Sequence, residues 1–366
     1  MPTTLIITND FPPRIGGIES FVSDICDLLD GDVVVYASGS PGSENGDTDR
    51  NYPVVRHGQL LVPTHDLAGR TADVLRRFGA SRVIFGAAAP LGLLAPTLRR
   101  AGARVLVGLT HGHETWWATL PGSRQLLRRI GDACDHLTTI SNYTCQRIAP
   151  ALSGAAQSRL LHLAPPVDTT RFAPAARVDD HRRCVAVGRL VRQKGFRMLL
   201  KAWRQVVATS VRKEPELIVI GDGPDRAPLE SVITKLGLAG TVRIAGALPR
   251  GQLITALQHA DVFALPVRTR LFGLNPEGLG LAALEAAACG LPVIVGSSGG
   301  APETVRHGKT GFVVDPDDHL SWASRIDALL GDPAHSRIMG AAGRSLVVER
   351  FEAERAKATL RAALRL

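Results

Sequence analysis

A chain of 366 residues, 45% of them apolar and 21% charged, is long enough for about two globular domains and too apolar to be disordered. Its 43 Lys and Arg against 34 Asp and Glu leave a net charge of +9. That points to an anionic partner: nucleic acid, a membrane surface or a phosphorylated substrate. The five cysteines are widely spaced and form no CxxC pair, which argues against a disulfide framework and a structural zinc site. The opening MPTTLIITNDFPP has no basic segment ahead of a long apolar run, and no run of about 18 apolar residues follows anywhere. A cytoplasmic protein is expected, one still able to lie on the inner face of the plasma membrane.

Short apolar runs alternate with helical patterns from the start. Strands are predicted at 4–9, 32–37, 82–87, 104–110 and 136–141, with helices at 18–29, 66–78, 91–101 and 122–133. Runs apolar on both faces, followed by helices, predict a parallel sheet covered by helices. The segment 163–181 holds three prolines without periodicity and reads as a linker. The theme then repeats. Strands are predicted at 183–189, 216–222, 241–246, 261–266, 292–297 and 311–314, and helices at 195–208, 225–236, 250–259, 279–289, 301–306 and 318–330. The fold class is therefore α/β, with two Rossmann-like domains facing a cleft. The first covers 1–168 with a C-terminal helix at about 350–366, and the second covers 169–349.

In open parallel sheets ligands gather beyond the carboxyl ends of the strands, and the motifs fall there. After the first strand comes NDFPPRIGGIES, where Gly16 and Gly17 precede a helix. Paired glycines admit a ligand close to the backbone, and a helix N-terminus offers N–H groups to an anion; a plain turn needing glycine is the alternative. The G-x-G-x-x-G spacing of dinucleotide enzymes is missing. THGHE (110–114) puts His111, His113 and Glu114 past the fourth strand. A neutral imidazole there can donate to a sugar hydroxyl or a backbone carbonyl; metal ligation by His111, His113 and Glu114 is the alternative, but no further His or Cys cluster completes such a site. Ser141 in ISNYT reads as a helix N-cap. GRLVRQKG (188–195) supplies Gly188, Arg189 and Lys194, two cations that suit a diphosphate; a solvated basic loop is the alternative. Gly221, Asp222 and Gly223 in IGDGP suit close approach of a nucleotide.

The most specific stretch is NPEGLGLAALEAAACGLPVI (275–294), with Glu277 and Glu285 eight residues apart and a helix start expected at Gly278, Leu279 and Gly280. Carboxylates there accept bonds from vicinal hydroxyls, and the helix start offers N–H groups to a phosphate. SSGGAPETV (297–305) adds paired glycines and Glu303. The Asp-x-Asp pattern at 315–317 can hold a metal–diphosphate pair, but it precedes a helix and N-capping explains it, so no metal is expected.

Taken together, the Gly-Gly loop, the strand-end histidine, GRLVRQKG, IGDG and EGLGLAALE resemble retaining glycosyltransferases of family 4, with the GT-B fold, over nearly the whole chain. TNDFPPRIGGIES, FGAAAPL, THGHE, LPGSRQLLRRIG and PEGLG…SGGAPETV resemble actinobacterial mannosyltransferases that use GDP-mannose and phosphatidylinositol monomannoside. The resemblance implies transfer of mannose from GDP-mannose to an anionic glycolipid, with front-face retention and no cofactor; the alternatives are transfer from another sugar nucleotide to a soluble or other lipid acceptor, and sugar-nucleotide binding without catalysis. It assigns Arg189 and Lys194 to the diphosphate, Glu277 to the donor sugar, Glu285 to the ribose and His111 to the transferred sugar. Gly16 and Gly17 would approach the diphosphate and acceptor, and Asp10 and His113 would face the acceptor. The C-terminal helix would return to the first domain.

Two surfaces remain for a lipid. Trp116 and Trp117 could touch lipid or pack beneath their loop, and Arg124, Leu127 and Arg128 would share one helical surface suited to an anionic membrane. The global charge lies elsewhere. Residues 1–175 hold 16 basic and 15 acidic residues, whereas 182–213 hold ten basic and no acidic ones. The excess thus sits in the expected nucleotide domain, and no nucleic-acid-binding module is recognisable.

Overall fold

The computed structural model describes residues 3–14, 16–39, 42, 46–176, 182–209, 215–271 and 273–366. Parts of the segments 163–181 and 182–213 singled out above lie outside the described residues. The chain divides into two compact units, Met1–Pro166 with Ala353–Leu366, and Val167–Glu352.

In the first unit the elements run β1 (Thr4–Thr8), α1 (Gly17–Leu28), β2 (Val33–Ser38), β3 (Val54–His57), α2 (His65–Arg77), β4 (Arg82–Phe85), α3 (Ala88–Leu91), α4 (Ala95–Arg100), β5 (Val105–Leu109), α5 (Glu114–Trp117), α6 (Pro121–Ala133), β6 (His136–Thr139), α7 (Asn142–Ile148), α8 (Gly154–Gln157) and β7 (Leu160–His162). Among the described residues these strands form a seven-stranded sheet in the order β3-β2-β1-β4-β5-β6-β7, parallel throughout. β1 is an interior strand, pairing Thr4 with Val33 on one side and with Arg82 on the other. Its five residues are all buried, which is why it reads as an unbroken apolar run.

The second unit contains β8 (Arg183–Val187), α9 (Phe196–Thr209), β9 (Glu216–Ile220), α10 (Arg226–Lys235), β10 (Val242–Gly246), α11 (Arg250–Gln258), β11 (Val262–Leu265), α12 (Leu281–Ala288), β12 (Val293–Gly296), β13 (Gly311–Val314), α13 (His319–Gly331) and α14 (Pro333–Phe351). Its six strands are parallel in the order β10-β9-β8-β11-β12-β13. Order reverses at β8, between β9 and β11, which is where an open α/β sheet binds ligands. Trp203 and Trp322, both fully buried, fill the core against Leu199, Ile326 and Met339.

Several elements differ from the sequence expectations. β3 and β7 lie at sheet edges and have half-buried, partly polar sequences (VVRH and LLH), so neither shows a clean apolar run. The helical pattern over 349–366 is broken at Glu352, which is extended at φ −69° and ψ 150°. There Val167 N–H donates to Phe351 O at 2.8 Å. The last helix, α15 (Ala353–Leu364), belongs to the first unit, where Leu360 and Leu364 are buried and Lys357 and Arg365 pair with Asp30 and Asp135. Residues 301–304 form one 3₁₀ turn rather than a helix to 306. The helix after Glu277 starts at Leu281, not at Gly278, because Gly280 is left-handed with φ 95°. Glu285 is thus about one turn in. The cap of α13 is Asp318, whose side chain accepts from Ser321 N; Asp315 and Asp317, read as caps, bond instead to each other's segment and to Arg268. Ser141 does cap α7, in a reciprocal box with Thr144.

Candidate active site

In the second unit the strand ends crowd against one another. β8 passes into Gly188, whose N–H bonds Ile220 O at 3.0 Å, and Leu190 N bonds Asp222 O at 2.9 Å. A Cβ on Gly221 would lie 2.0 Å from Gly188 O, and one on Gly223 would lie 2.6 Å from Leu190 O. Both glycines have positive φ, 138° and 156°, so only glycine fits these two turns. The sequence signal for Gly188, Gly221 and Gly223 therefore has a packing cause as well as a role open to a ligand.

Residues 192–194 form a short 3₁₀ turn that ends at Gly195 in the left-handed region. Its last side chain reaches across 83 residues: Lys194 Nζ lies 2.8 Å from Glu277 Oε2, with side-chain exposures of 20% and 12%. The two groups that the sequence pointed to separately form one ion pair. Glu277 is held by its backbone too. Its N–H donates to Ser298 Oγ at 3.3 Å, and its carbonyl accepts from Gly300 N at 2.9 Å. Ser298 in turn bonds Thr269 Oγ1 at 2.9 Å, and Gln193 Nε2 donates to Pro276 O at 2.8 Å. Gln193, Thr269 and Ser298 were not singled out from the sequence. Position alone signals Gln193, beside Lys194, and Ser298, within SSGGAPETV; nothing in the sequence signals Thr269.

Arg189 is exposed, and its guanidinium has no ion-pair partner among the described residues. It shares the loop after β8 with Lys194. Asp222 bonds its neighbour Gly223 N and pairs with Arg226 at 3.2 Å. Glu285 is 9% exposed on α12, and Leu279 is buried beside it in chain order. Gly278 precedes the helix rather than opening it.

The first unit holds the other named residues at the ends of β1 and β5. Asp10 N–H donates to Thr8 Oγ1 at 2.9 Å, a turn that leaves its carboxylate half-exposed. Gly16 is extended, with φ 179°, ahead of α1, and a Cβ on Gly17 would meet nothing within 4 Å. Gly17 therefore faces open space, whereas a Cβ on Gly16 would lie 2.2 Å from Glu19 Oε2, so the Glu19 carboxylate covers that side of the helix start.

His111 is held from every side. Its Nε2 bonds Gly86 O, its backbone N donates to Glu114 Oε2 at 2.9 Å, and its ring packs edge-on against Phe21. Burial pushes its pKa below the ordinary value, with the Glu114 charge opposing. The ring is neutral near pH 7, and because Gly86 O can only accept, Nε2 carries the proton. His113 lies 3.2 Å from the other oxygen of Glu114, a fully buried carboxylate. Glu114 thus positions the His111 backbone through Oε2, a role the sequence reading did not give it, while Oε1 is buried without a hydrogen-bond partner among the described residues. Among the described residues no group of three or more His, Cys, Asp or Glu is arranged to hold a metal ion.

The surface at 114–130 differs from the helical-face reading. Leu127 is fully buried in the core, so it shares no surface with Arg124 and Arg128. Arg124 donates to Pro150 O at 2.7 Å. Trp116 and Trp117 are half-buried with rings 5.1 Å apart, and Trp117 packs on the core. Leu120, 47% exposed, is the apolar side chain that does face out. No helix among the described residues is long and apolar enough to cross a membrane.

Comparison with known proteins agrees with this geometry. Residues 168–346 match the family model of glycosyl transferases group 1. A GDP-mannose-dependent alpha-(1-6)-phosphatidylinositol monomannoside mannosyltransferase of Mycolicibacterium smegmatis is 42% identical, over 95% of this chain and 94% of the relative. A GDP-mannose-dependent monoacylated alpha-(1-6)-phosphatidylinositol monomannoside mannosyltransferase of Corynebacterium glutamicum is 41% identical, over 94% and 93%. Among solved structures, Anabaena HepE in complex with UDP superposes with a TM-score of 0.81 at 19% identity, covering 99% of both chains. Sucrose-phosphate synthase of Thermosynechococcus elongatus gives 0.80 at 19%, covering 99% of this chain and 98% of that one. The two parallel-sheet units are those of the GT-B fold, and with relatives this similar along nearly its whole length the chain belongs to the group 1 glycosyltransferases.

Proposed function

We propose that this chain is a retaining α-mannosyltransferase that moves mannose from GDP-mannose to a phosphatidylinositol mannoside. The observation that carries the reading is the similarity to such enzymes over about 95% of both chains. The Lys194–Glu277 pair, preassembled at the sheet's switch point, supports the same reading.

The chemistry follows from charge. Breaking the bond between the anomeric carbon and the leaving oxygen puts positive charge on the sugar and negative charge on the diphosphate. Arg189 and Lys194 stabilise the latter as fixed electrostatic partners, without a metal. When the diphosphate draws Lys194 away, Glu277 is released to accept from the donor sugar's hydroxyls, and Glu285 accepts from the ribose. Gly16 and Gly17 let the diphosphate approach the N-terminus of α1. His111, protonated at Nε2 and neutral, offers Nδ1 as an acceptor for a hydroxyl of the transferred sugar. Asp10 and His113 face the acceptor. Its hydroxyl attacks from the face the diphosphate leaves, and the departing oxygen takes its proton, so the configuration is retained. The acceptor is a membrane lipid, so the enzyme works at the cytoplasmic surface of the membrane.

A donor panel with phosphatidylinositol monomannoside as acceptor tests this reading. GDP-mannose is expected to release GDP in step with lipid product, in the presence of a chelator as in its absence. Preference for a different sugar nucleotide contradicts the donor assignment, and loss of activity on chelation contradicts the metal-free mechanism.

A further inference from the structure

We infer that the loop carrying Asp10 also holds the phosphodiester of the lipid acceptor through Arg14, with Leu60 and Val62 meeting the acyl end of that lipid. This rests on the lipid-acceptor reading above and extends it to residues that reading does not use.

Leu60 and Val62 are 63% and 52% exposed, while Leu61 between them is buried. The alternation is imposed by Asn9 at the end of β1. Its side-chain amide donates to Leu61 O at 3.0 Å and accepts from Leu61 N at 2.8 Å. That fork seats Leu61 in the core and turns both neighbours outward. Two large aliphatic side chains are thus held in water by a rigid device, next to the strand end where acceptor-facing residues lie.

Beside them is a cavity of about 230 Å³, lined by Phe11, Pro13, Arg14, Ser38, Arg56 and Leu60. Two arginines border it, and they differ. Arg56 is saturated: it grips Asp47 with two bonds of 2.8 and 2.7 Å, donates to Pro12 O and Ser38 O, and is 7% exposed. Arg14 is 54% exposed, donates once to Asn9 O at 3.1 Å, and lies 3.9 Å from Glu19. Most of its donors remain for an anion, and a guanidinium fork matches phosphate oxygens.

The chemistries gathered in this unit match the groups of the acceptor. Asp10 and Gly17 suit sugar hydroxyls, Arg14 suits a phosphodiester, and Leu60 and Val62 suit the hydrocarbon beyond it. A small soluble acceptor has no use for the last two.

Arg14→Gln and Leu60→Ser/Val62→Ser are to be assayed with three acceptors: diacylated phosphatidylinositol monomannoside, its deacylated glycerophospho form, and mannosyl-inositol without phosphate. The substituted side chains are exposed, so folding should be unaffected. Arg14→Gln is expected to raise KM about 10-fold for both phosphorylated acceptors, from loss of a charge-assisted bond, and to leave mannosyl-inositol unchanged. The double serine variant is expected to raise KM about 10-fold for the acylated lipid only. Equal changes with all three acceptors, no change with any, or a change of oligomeric state in place of a KM effect overturns the inference. If the wild-type enzyme glycosylates none of the three, the acceptor reading falls and this inference with it. Wild-type turnover with indifferent variants refutes the inference alone.

Discussion

Removing the Lys194 ammonium tests the diphosphate site most sharply. In Lys194→Ala two things change at once. The cation that would face the developing negative charge is gone, and Glu277, only 12% exposed, loses its 2.8 Å partner. Loss of one preorganised donor to a developing oxyanion costs about 10²–10³ in turnover, about 2.7–4 kcal/mol. The unpaired carboxylate adds a separate stability cost of about 1–3 kcal/mol, below the range for a fully buried pair because both groups keep some solvent. A double-mutant cycle with Glu277→Gln separates the two. In the double variant the stability loss should largely recover, since no buried charge is left alone, while turnover stays low. Donor-dependent GDP release under saturating acceptor reads the first quantity and thermal unfolding reads the second. Turnover near wild type in both Lys194→Ala and Arg189→Ala refutes the assigned site.

Three other outcomes follow from the same geometry. Gly17→Val should leave the melting temperature nearly unchanged, because its Cβ meets nothing, yet lower turnover by about 10-fold or more by blocking approach to the helix start; Gly221→Ala, whose Cβ would lie 2.0 Å from a carbonyl oxygen, should unfold at a clearly lower temperature. Burial lowers the His111 pKa, so on acidification the unfolded chain binds its proton first. The contribution to stability is complete above about pH 6.5 and falls as pH drops toward the folded-state value, so wild type should lose more stability between pH 7 and 5 than His111→Gln; parallel profiles in thermal unfolding contradict this. Burial pushes the Cys26, Cys134 and Cys289 thiols up to about 12, and Cys184 higher still, so a thiol reagent at pH 8 should react first at half-buried Cys145, with the rest appearing only on denaturation.

Much of the fold was legible because its central strands are buried on both faces. β1, β5 and β9 are uninterrupted apolar runs bounded by turn residues, and no other element produces that pattern at that length. β3 and β7 escaped because edge strands are half solvated and carry Arg or His. The break at Glu352 escaped because it has no glycine or proline; a backbone bond to Val167, 185 residues away in the chain, holds it open. The site divides the same way. Lys194 and Glu277 were visible as residue types at strand ends, but their pairing across 83 residues depends on the sheet order that brings β8 beside β11. Glu114 is grouped in the sequence with its two histidines without a role of its own because sequence lists neighbours without direction; folded, its Oε2 accepts from the His111 backbone N–H and its Oε1 lies 3.2 Å from His113. Leu127 was placed on an exposed face because helical spacing alone does not say which stripe the core covers.

Everything proposed for this chain depends on the transfer of mannose itself. It is tested most directly by incubating purified protein with GDP-mannose labelled in the sugar and phosphatidylinositol monomannoside, then determining the anomeric configuration of the new linkage by NMR. Label in a dimannosylated lipid joined by an α-linkage is the predicted result. Transfer with inversion, or no transfer with this pair while another donor and acceptor turn over, contradicts it.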